Sequence, residues 1–181
     1  MAPSRLSPDS TALLVIDWQE RLFPAMPELT RDDALARAGH LLWMAGELGM
    51  PVVATEQYPR GLGRTLAALP VTEPIEKLTF SAWNTSGFRG RIAALGRRSM
   101  LVVGMETHIC VALTCRDLVA AGYDVWLVAD ACLSRRKLDH DLGVERIRGD
   151  GARVVTAEAA LFELADTAGT PLFKQLSGRL R

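Results

Sequence analysis

The sequence predicts an α/β fold, a parallel sheet wrapped by helices on both faces, and two observations carry that prediction. Short apolar runs, such as residues 11–17 and 99–104, lack the polar alternation of a strand with one wet face, so both sheet faces are covered. Between these runs stand segments with helical spacing. Strands that alternate with helices through short loops build parallel sheets. A chain of 181 residues, 49% hydrophobic and 23% charged, can bury the core of one domain spanning 1–181. No internal repeat, linker or low-complexity tract divides it.

The elements follow in order. Residues 11–17 form the first strand. Between 31 and 48, Leu35, Ala38, Leu42, Ala45 and Leu48 recur at helical spacing, and Gly49 and Pro51 close the helix. Residues 52–55 are the second strand. Residues 57–74, punctuated by Gly and Pro, read as a long surface excursion with one helical turn. Residues 75–78 make a short third strand. The second half is more regular: a strand at 99–104, a helix at 110–121 ended by Gly122, a strand at 124–129, a helix at 139–148 and a strand at 152–156. Residues 158–164 begin a last helix, and the basic tail to Arg181 is helical in part.

Composition excludes several classes of function. The 21 Lys and Arg balance 21 Asp and Glu, which removes the broad basic field that non-specific nucleic-acid binding needs. No apolar run approaches the roughly 20 residues of a membrane span. Residues 1–10 hold one basic residue and no apolar core, unlike a secretory signal. The three cysteines, Cys110, Cys115 and Cys132, are an odd number and cannot complete a disulfide framework. The expected compartment is a reducing cytoplasm, where a cysteine is free, metal-bound or catalytic.

In open α/β sheets, chemistry gathers beyond the carboxyl ends of the strands. Three candidates lie at such ends: Asp17 closes the first strand, Lys77 sits on the short third one, and residues 104–110 link a strand to a helix. At a helix start, the macrodipole and a nearby lysine lower a thiol pKa from about 8.5 towards neutrality. Cys110 read alone is either such a nucleophile or a small buried apolar residue. Asp17 is either a working carboxylate or a cap, and Lys77 either a charged partner or a snorkelling strand lysine.

Taken together, these residues resemble the isochorismatase-like cysteine hydrolase superfamily, in a subgroup apart from the nicotinamidases. The resemblance rests on Leu14-Val-Ile-Asp17-Trp-Gln19 with Phe23 following, on Lys77-Leu-Thr-Phe-Ser-Ala-Trp83, and on Gly104-Met-Glu-Thr107-His-Ile-Cys110-Val111, which fits G-x-x-T-x-x-C-V. Asp130-Ala131 also fits. The resemblance implies a single three-layer α/β/α domain with a six-stranded, mostly parallel sheet. It implies a catalytic triad of Cys110, Asp17 and Lys77, with Cys110 as nucleophile, Asp17 as general base and acid, and Lys77 as electrostatic partner. It places the oxyanion hole at the backbone N–H groups of Glu106 and Cys110, after a non-proline cis peptide at Met105–Glu106. The implied reaction cleaves a C–N bond of a small amide-like substrate through a thioester. A homo-oligomer, dimer or larger, is also implied, with no membrane or nucleic-acid partner.

Departures from the family pattern narrow this further. The stretch Thr55-Glu-Gln-Tyr-Pro-Arg60 lacks the histidine of the metal-binding Asp-x-His motif, so neither a metal nor another cofactor is expected. Two other readings stay open on the same fold, a catalytically silent oligomeric binding protein and a vinyl-ether hydrolase that needs no Cys110. Trp18, Phe23, Tyr58 and Trp83 flank the motifs and are either walls of an apolar substrate pocket or core. Gln57 is an amide-recognition candidate, and His108 a candidate for the pocket mouth. His108, Cys110 and Cys115 do not make a zinc set, since residues five apart on a helix diverge by about 140°. Gly61-Leu-Gly63 lacks the third glycine of a dinucleotide loop and reads as a surface turn. Arg135-Arg136-Lys137 is read as a solvated turn, with an anionic-substrate contact or a subunit salt bridge as alternatives.

Overall fold

The computed structural model describes residues 5–180; residues 1–4, and Arg181 at the end of the expected helical tail, lie outside them. The six strands are β1 (Thr11–Ile16), β2 (Val52–Gln57), β3 (Ile75–Lys77), β4 (Ser99–Met105), β5 (Asp124–Leu133) and β6 (Arg153–Val155). They form one sheet in the order β3-β2-β1-β4-β5-β6, every neighbouring pair parallel. The order reverses at β1: the chain builds outward to β3, then crosses to β4 on the other side. Such a switch point is where an open α/β sheet forms its crevice.

Burial along β1 explains the two helical layers. All six of its residues are buried, as expected for a strand covered on both faces. Leu13 and Val15 pack with α1 (Glu28–Glu47), α6 (Ala157–Ala165) and α7 (Pro171–Arg179) on one face. Ala12, Leu14 and Ile16 pack on the other face, with α3 (Ser86–Ala94), α4 (Ala112–Ala120) and α5 (Lys137–Gly149). A single turn, α2 (Pro59–Leu62), interrupts the excursion between β2 and β3. Among the described residues no helix is long and apolar enough to cross a membrane.

The differences from the sequence prediction have local causes. Helix α1 begins at Glu28, three residues earlier than its apolar spacing signals, because Pro27 fixes the backbone at its entrance. Helix α3 has no counterpart in the prediction. Its segment Ser-Gly-Phe-Arg-Gly-Arg-Ile-Ala-Ala holds two glycines and two arginines, and only Phe88 and Ile92, four apart, anchor it. Strand β5 runs to Leu133, past the expected end at 129. A register shift on β4 between Val102 and Gly104 lets pairing resume at Gly104 with Cys132 and Met105 with Leu133. Asp130, which breaks the apolar run, accepts the Ala157 N–H at 2.7 Å at the start of α6 and pairs with Arg37 of α1 at 3.1 Å.

Candidate active site

Strict alternation along β1 would send Asp17 with Leu13 and Val15 towards α1. The backbone instead turns into the left-handed region at Asp17, with φ 52°, sparsely populated for a non-glycine residue. Its carboxylate thereby meets groups from two neighbouring strands. Asp17 Oδ1 accepts from the Thr55 hydroxyl on β2 at 2.7 Å, and Asp17 Oδ2 accepts from Lys77 Nζ on β3 at 2.7 Å. Both charged side chains have zero exposure. Lys77 is therefore no snorkelling lysine. Its ammonium also donates to Gln57 Oε1 at 2.7 Å and lies near the carbonyls of Phe80 at 3.2 Å and Thr79 at 3.3 Å.

Cys110 enters from β4. A π-type turn, Thr107–Val111, precedes α4, so helical structure starts three residues before Cys110 rather than at it. The Glu106 carbonyl accepts the N–H groups of Ile109 at 3.1 Å and Val111 at 3.2 Å, the residues on either side of Cys110. The peptide Met105–Glu106 is cis. Two glycines let the turn sit where it does. A β-carbon on Gly104 would lie 2.5 Å from the Ile16 carbonyl oxygen, and one on Gly143 of α5 would lie 3.0 Å from the His108 Cα. Close approach on both sides thus packs the turn between β1 and α5.

The thiol environment corrects the expectation of a lowered pKa. Burial pushes the Cys110 thiol up to about 12; the Asp17 charge adds to this, and Lys77 opposes it. Cys110 is 7% exposed, so desolvation of a thiolate outweighs both the helix start and the lysine. Cys115, fully buried, is likewise pushed up to about 12 by desolvation, and Cys132 stands well above its ordinary value for the same reason.

Several further residues bind this centre together. Gln57 half-faces it: Nε2 donates to the Leu78 carbonyl at 3.0 Å, which turns Oε1 towards Lys77 and to within 4.0 Å of Cys110 Sγ. The amide is thus held by the protein at both ends, not left open for amide recognition. Gln19, fully buried, grips the Gln57 backbone; its Oε1 accepts the Gln57 N–H at 2.8 Å, and its Nε2 donates to the carbonyls of Gln57 at 3.0 Å and Gly63 at 2.8 Å. The Glu106 carboxylate accepts from Arg135 N at 3.2 Å and Arg135 Nε at 3.0 Å, so Arg135 is tied to the turn rather than merely solvated. Gln19 and Thr55 stand within the motif segments that hold Asp17 and Gln57. Nothing in their spacing marks them, because their partners come from other strands.

The aromatic candidates divide. Trp18 has no exposed surface and packs with Phe23, ring centroids 6.1 Å apart, in the layer on the α1 side of the sheet. It lies opposite the Cys110 layer and is core, which corrects its reading as a pocket wall. Phe23 is half-buried under the Arg31 guanidinium, 5.6 Å from its ring centre. Trp83, half-buried, packs edge-on against Tyr123 at 5.7 Å, and both lie against the core on the Cys110 side. Tyr58 stays 51% exposed, with Leu78 and Phe80 also exposed, at the carboxyl ends of β2 and β3. His108 Nδ1 is 2.9 Å from the Ser134 hydroxyl, and His140 Nδ1 is 3.0 Å from the Thr107 hydroxyl, so both imidazoles hold the turn. Among the described residues no three His, Cys, Asp or Glu side chains are grouped to hold a metal ion. A cleft of about 500 Å³ between the starts of α1 and α5 includes Asp130, Ser134 and His140 in its walls and none of Asp17, Lys77 and Cys110.

Compared with known families, the chain matches the Isochorismatase domain model over residues 11–159. The chain belongs to the isochorismatase family. Isochorismatase domain-containing protein 1 of Danio rerio is 34% identical over 97% of this chain; the chain spans 62% of that relative's length. Among solved structures, the MAR1 ribonuclease of Caenorhabditis elegans is 29% identical with a TM-score of 0.89, covering 98% of this chain and 92% of that one. The YcaC gene product of Escherichia coli, described as an octameric hydrolase of unknown specificity, shares the fold at a TM-score of 0.90 and 21% identity, covering 99% of this chain and 92% of that one. The six-stranded parallel sheet is thus the isochorismatase fold.

Proposed function

We propose that this chain is a metal-independent cysteine hydrolase that cleaves a C–N bond of a small amide-like substrate through a thioester. The observation that carries the reading is the desolvated Lys77–Asp17 ion pair facing the Cys110 thiol. A buried charge pair of this kind is costly to retain for packing alone. Here it stands beside a thiol, a group that can attack a carbonyl.

Because burial keeps the thiol protonated at neutral pH, attack and proton loss go together. Asp17 takes the S–H proton as sulfur bonds to the carbonyl carbon, and Lys77 balances the charge passing between Asp17 and the sulfur. The carbonyl oxygen becomes an oxyanion and accepts from the Glu106 and Cys110 N–H groups. Asp17 returns the proton to the leaving nitrogen as the C–N bond breaks, freeing ammonia or an amine. Water, deprotonated by Asp17, then cleaves the thioester to the acid and restores the thiol. A homo-oligomer, dimer or larger, is part of the proposal, supported by the exposed Tyr58, Leu78 and Phe80 beside the site.

The test is a screen of small amides for ammonia or amine release, comparing the wild type with Cys110→Ala and Cys110→Ser. Loss of at least about a thousand-fold in both variants is expected for a covalent nucleophile. Full turnover by Cys110→Ala overturns the reading in favour of chemistry without a thiol. RNA belongs in the same screen because the Caenorhabditis elegans neighbour is named a ribonuclease; RNA cleavage with no amide turnover also overturns it. Light scattering reads the oligomer size.

A further inference from the structure

Lys77 has three N–H protons and more acceptors than it can fully satisfy. Two lie at 2.7 Å, Asp17 Oδ2 and Gln57 Oε1, and two backbone carbonyls lie beyond 3 Å. The second close acceptor is neutral, and it is also 4.0 Å from Cys110 Sγ. Its orientation is built in. The Leu78 carbonyl takes the Gln57 amide nitrogen, and Gln19 clamps the Gln57 backbone at both N–H and C=O. An amide oxygen so held turns a lone pair towards the sulfur while occupying an ammonium proton for which a thiolate would otherwise compete only with the two more distant carbonyls.

We propose that Gln57 is a positioning residue that sets the ionisation of Cys110, by competing with the sulfur for the Lys77 ammonium and presenting the negative end of its amide dipole to the thiol. The role deepens the cysteine-hydrolase reading, because there Cys110 is the group that must lose a proton. The charged groups facing the thiol are Asp17, from the end of β1, and Lys77, from β3. The imidazoles nearest the turn, His108 on it and His140 on α5, are engaged by Ser134 and Thr107. Gln57 is thus the member of the four-group cluster that does not titrate, and its side chain decides how much of the lysine's charge reaches the sulfur.

The experiment needs no substrate. Alkylation of Cys110 by iodoacetamide and, separately, by N-ethylmaleimide is followed by peptide mass spectrometry between pH 7 and pH 9.5 in the wild type, Gln57→Met and Gln57→Glu. Gln57→Met removes one of the two close acceptors, leaving the sulfur to compete only with the two carbonyls beyond 3 Å for that ammonium proton, and Cys110 should react about ten-fold faster at a given pH. Gln57→Glu sets a carboxylate beside the sulfur, and the rate should fall about ten-fold. Both reagents should change by the same factor, because thiolate fraction is common to them, whereas altered access would separate the larger from the smaller. Cys115 and Cys132, buried in the core, should stay unlabelled. Unchanged rates, changes in the same direction in both variants, a split between reagents, or labelling of all three cysteines together would each overturn the assignment. Unaltered turnover by Cys110→Ala would instead defeat the hydrolase reading and leave this result standing.

Discussion

Lys77 Nζ and Asp17 Oδ2 lie 2.7 Å apart with neither side chain exposed, joining the edge strand β3 to the central strand β1 across β2. Removing one partner strands the other charge in the core, which costs about 3–5 kcal/mol, whereas removing both costs less than the sum of the single losses. Lys77→Met and Asp17→Asn should therefore each destabilise strongly in urea unfolding, with the double variant recovering part of the loss. Additive losses would mean that the two residues are not coupled in the folded chain.

Gly104 marks the closest approach of β4 to β1, since a β-carbon there would meet the Ile16 carbonyl oxygen at 2.5 Å, and a backbone atom inside a central strand pair has no room to yield. Gly104→Ala should lower stability by about 3 kcal/mol, the upper part of the overpacking range. Gly143→Ala, whose β-carbon would meet the His108 Cα at 3.0 Å, should cost less because a helix can shift on its neighbour. Thermal unfolding of the two variants checks the order, and a Gly143→Ala loss equal to or greater than that of Gly104→Ala would refute it.

How far the sequence could be read depends on whether the cause is local. Continuous apolar runs announced β1 and β4, and the motif order brought Asp17, Lys77 and Cys110 to one end of the sheet, because chain direction and strand ends are properties of the sequence itself. The place of Trp18 was not legible: strict alternation along β1 sets it with Leu14 and Ile16 on the Cys110 side, and only the left-handed backbone at Asp17, φ 52°, sends it to the α1 layer. The raised Cys110 thiol was not legible, because helix position and a lysine can be inferred from sequence whereas depth of burial comes from α5 and β1 closing on the turn. Gln19 and Thr55 stayed hidden for a related reason. Their hydrogen bonds run across strands 38 positions apart.

His140 gives a pH dependence with a definite sign. Desolvation holds its imidazole below the ordinary value of 6.5, with Lys137 adding to this and Asp141 opposing it. An unfolded chain therefore takes up the proton first as pH falls through about 6.5, and the stability held above that pH is lost until the folded-state pKa is passed. Unfolding followed from pH 8 to pH 5 should show a decline that His140→Gln reduces, since a glutamine does not titrate. His40, also lowered, by burial first and then by the charges of Arg179 and Arg37, contributes in the same direction. An identical decline in wild type and variant would remove His140 as a source.

Glu56 is the buried anchor of the loop between β2 and β3. At 1% exposure it accepts the Thr65 N–H at 2.7 Å and the Thr65 hydroxyl at 2.9 Å on Oε1, and Arg64 Nη1 at 2.9 Å on Oε2. Bonds to a carboxylate are about twice as strong as neutral ones, and a glutamine of the same shape keeps the geometry but not the charge. In Glu56→Gln the amide proton of Thr65 should exchange about ten-fold faster, and proteolysis should begin within 58–64, while the amides of β1 and β4 keep their protection. Because Gln19 ties Gly63 at the end of this loop to the Gln57 backbone, loosening it should also disturb Gln57 Oε1 and speed Cys110 alkylation. Faster exchange at Thr65 with no change at Cys110 would show that Gln19 alone suffices to hold Gln57 in place.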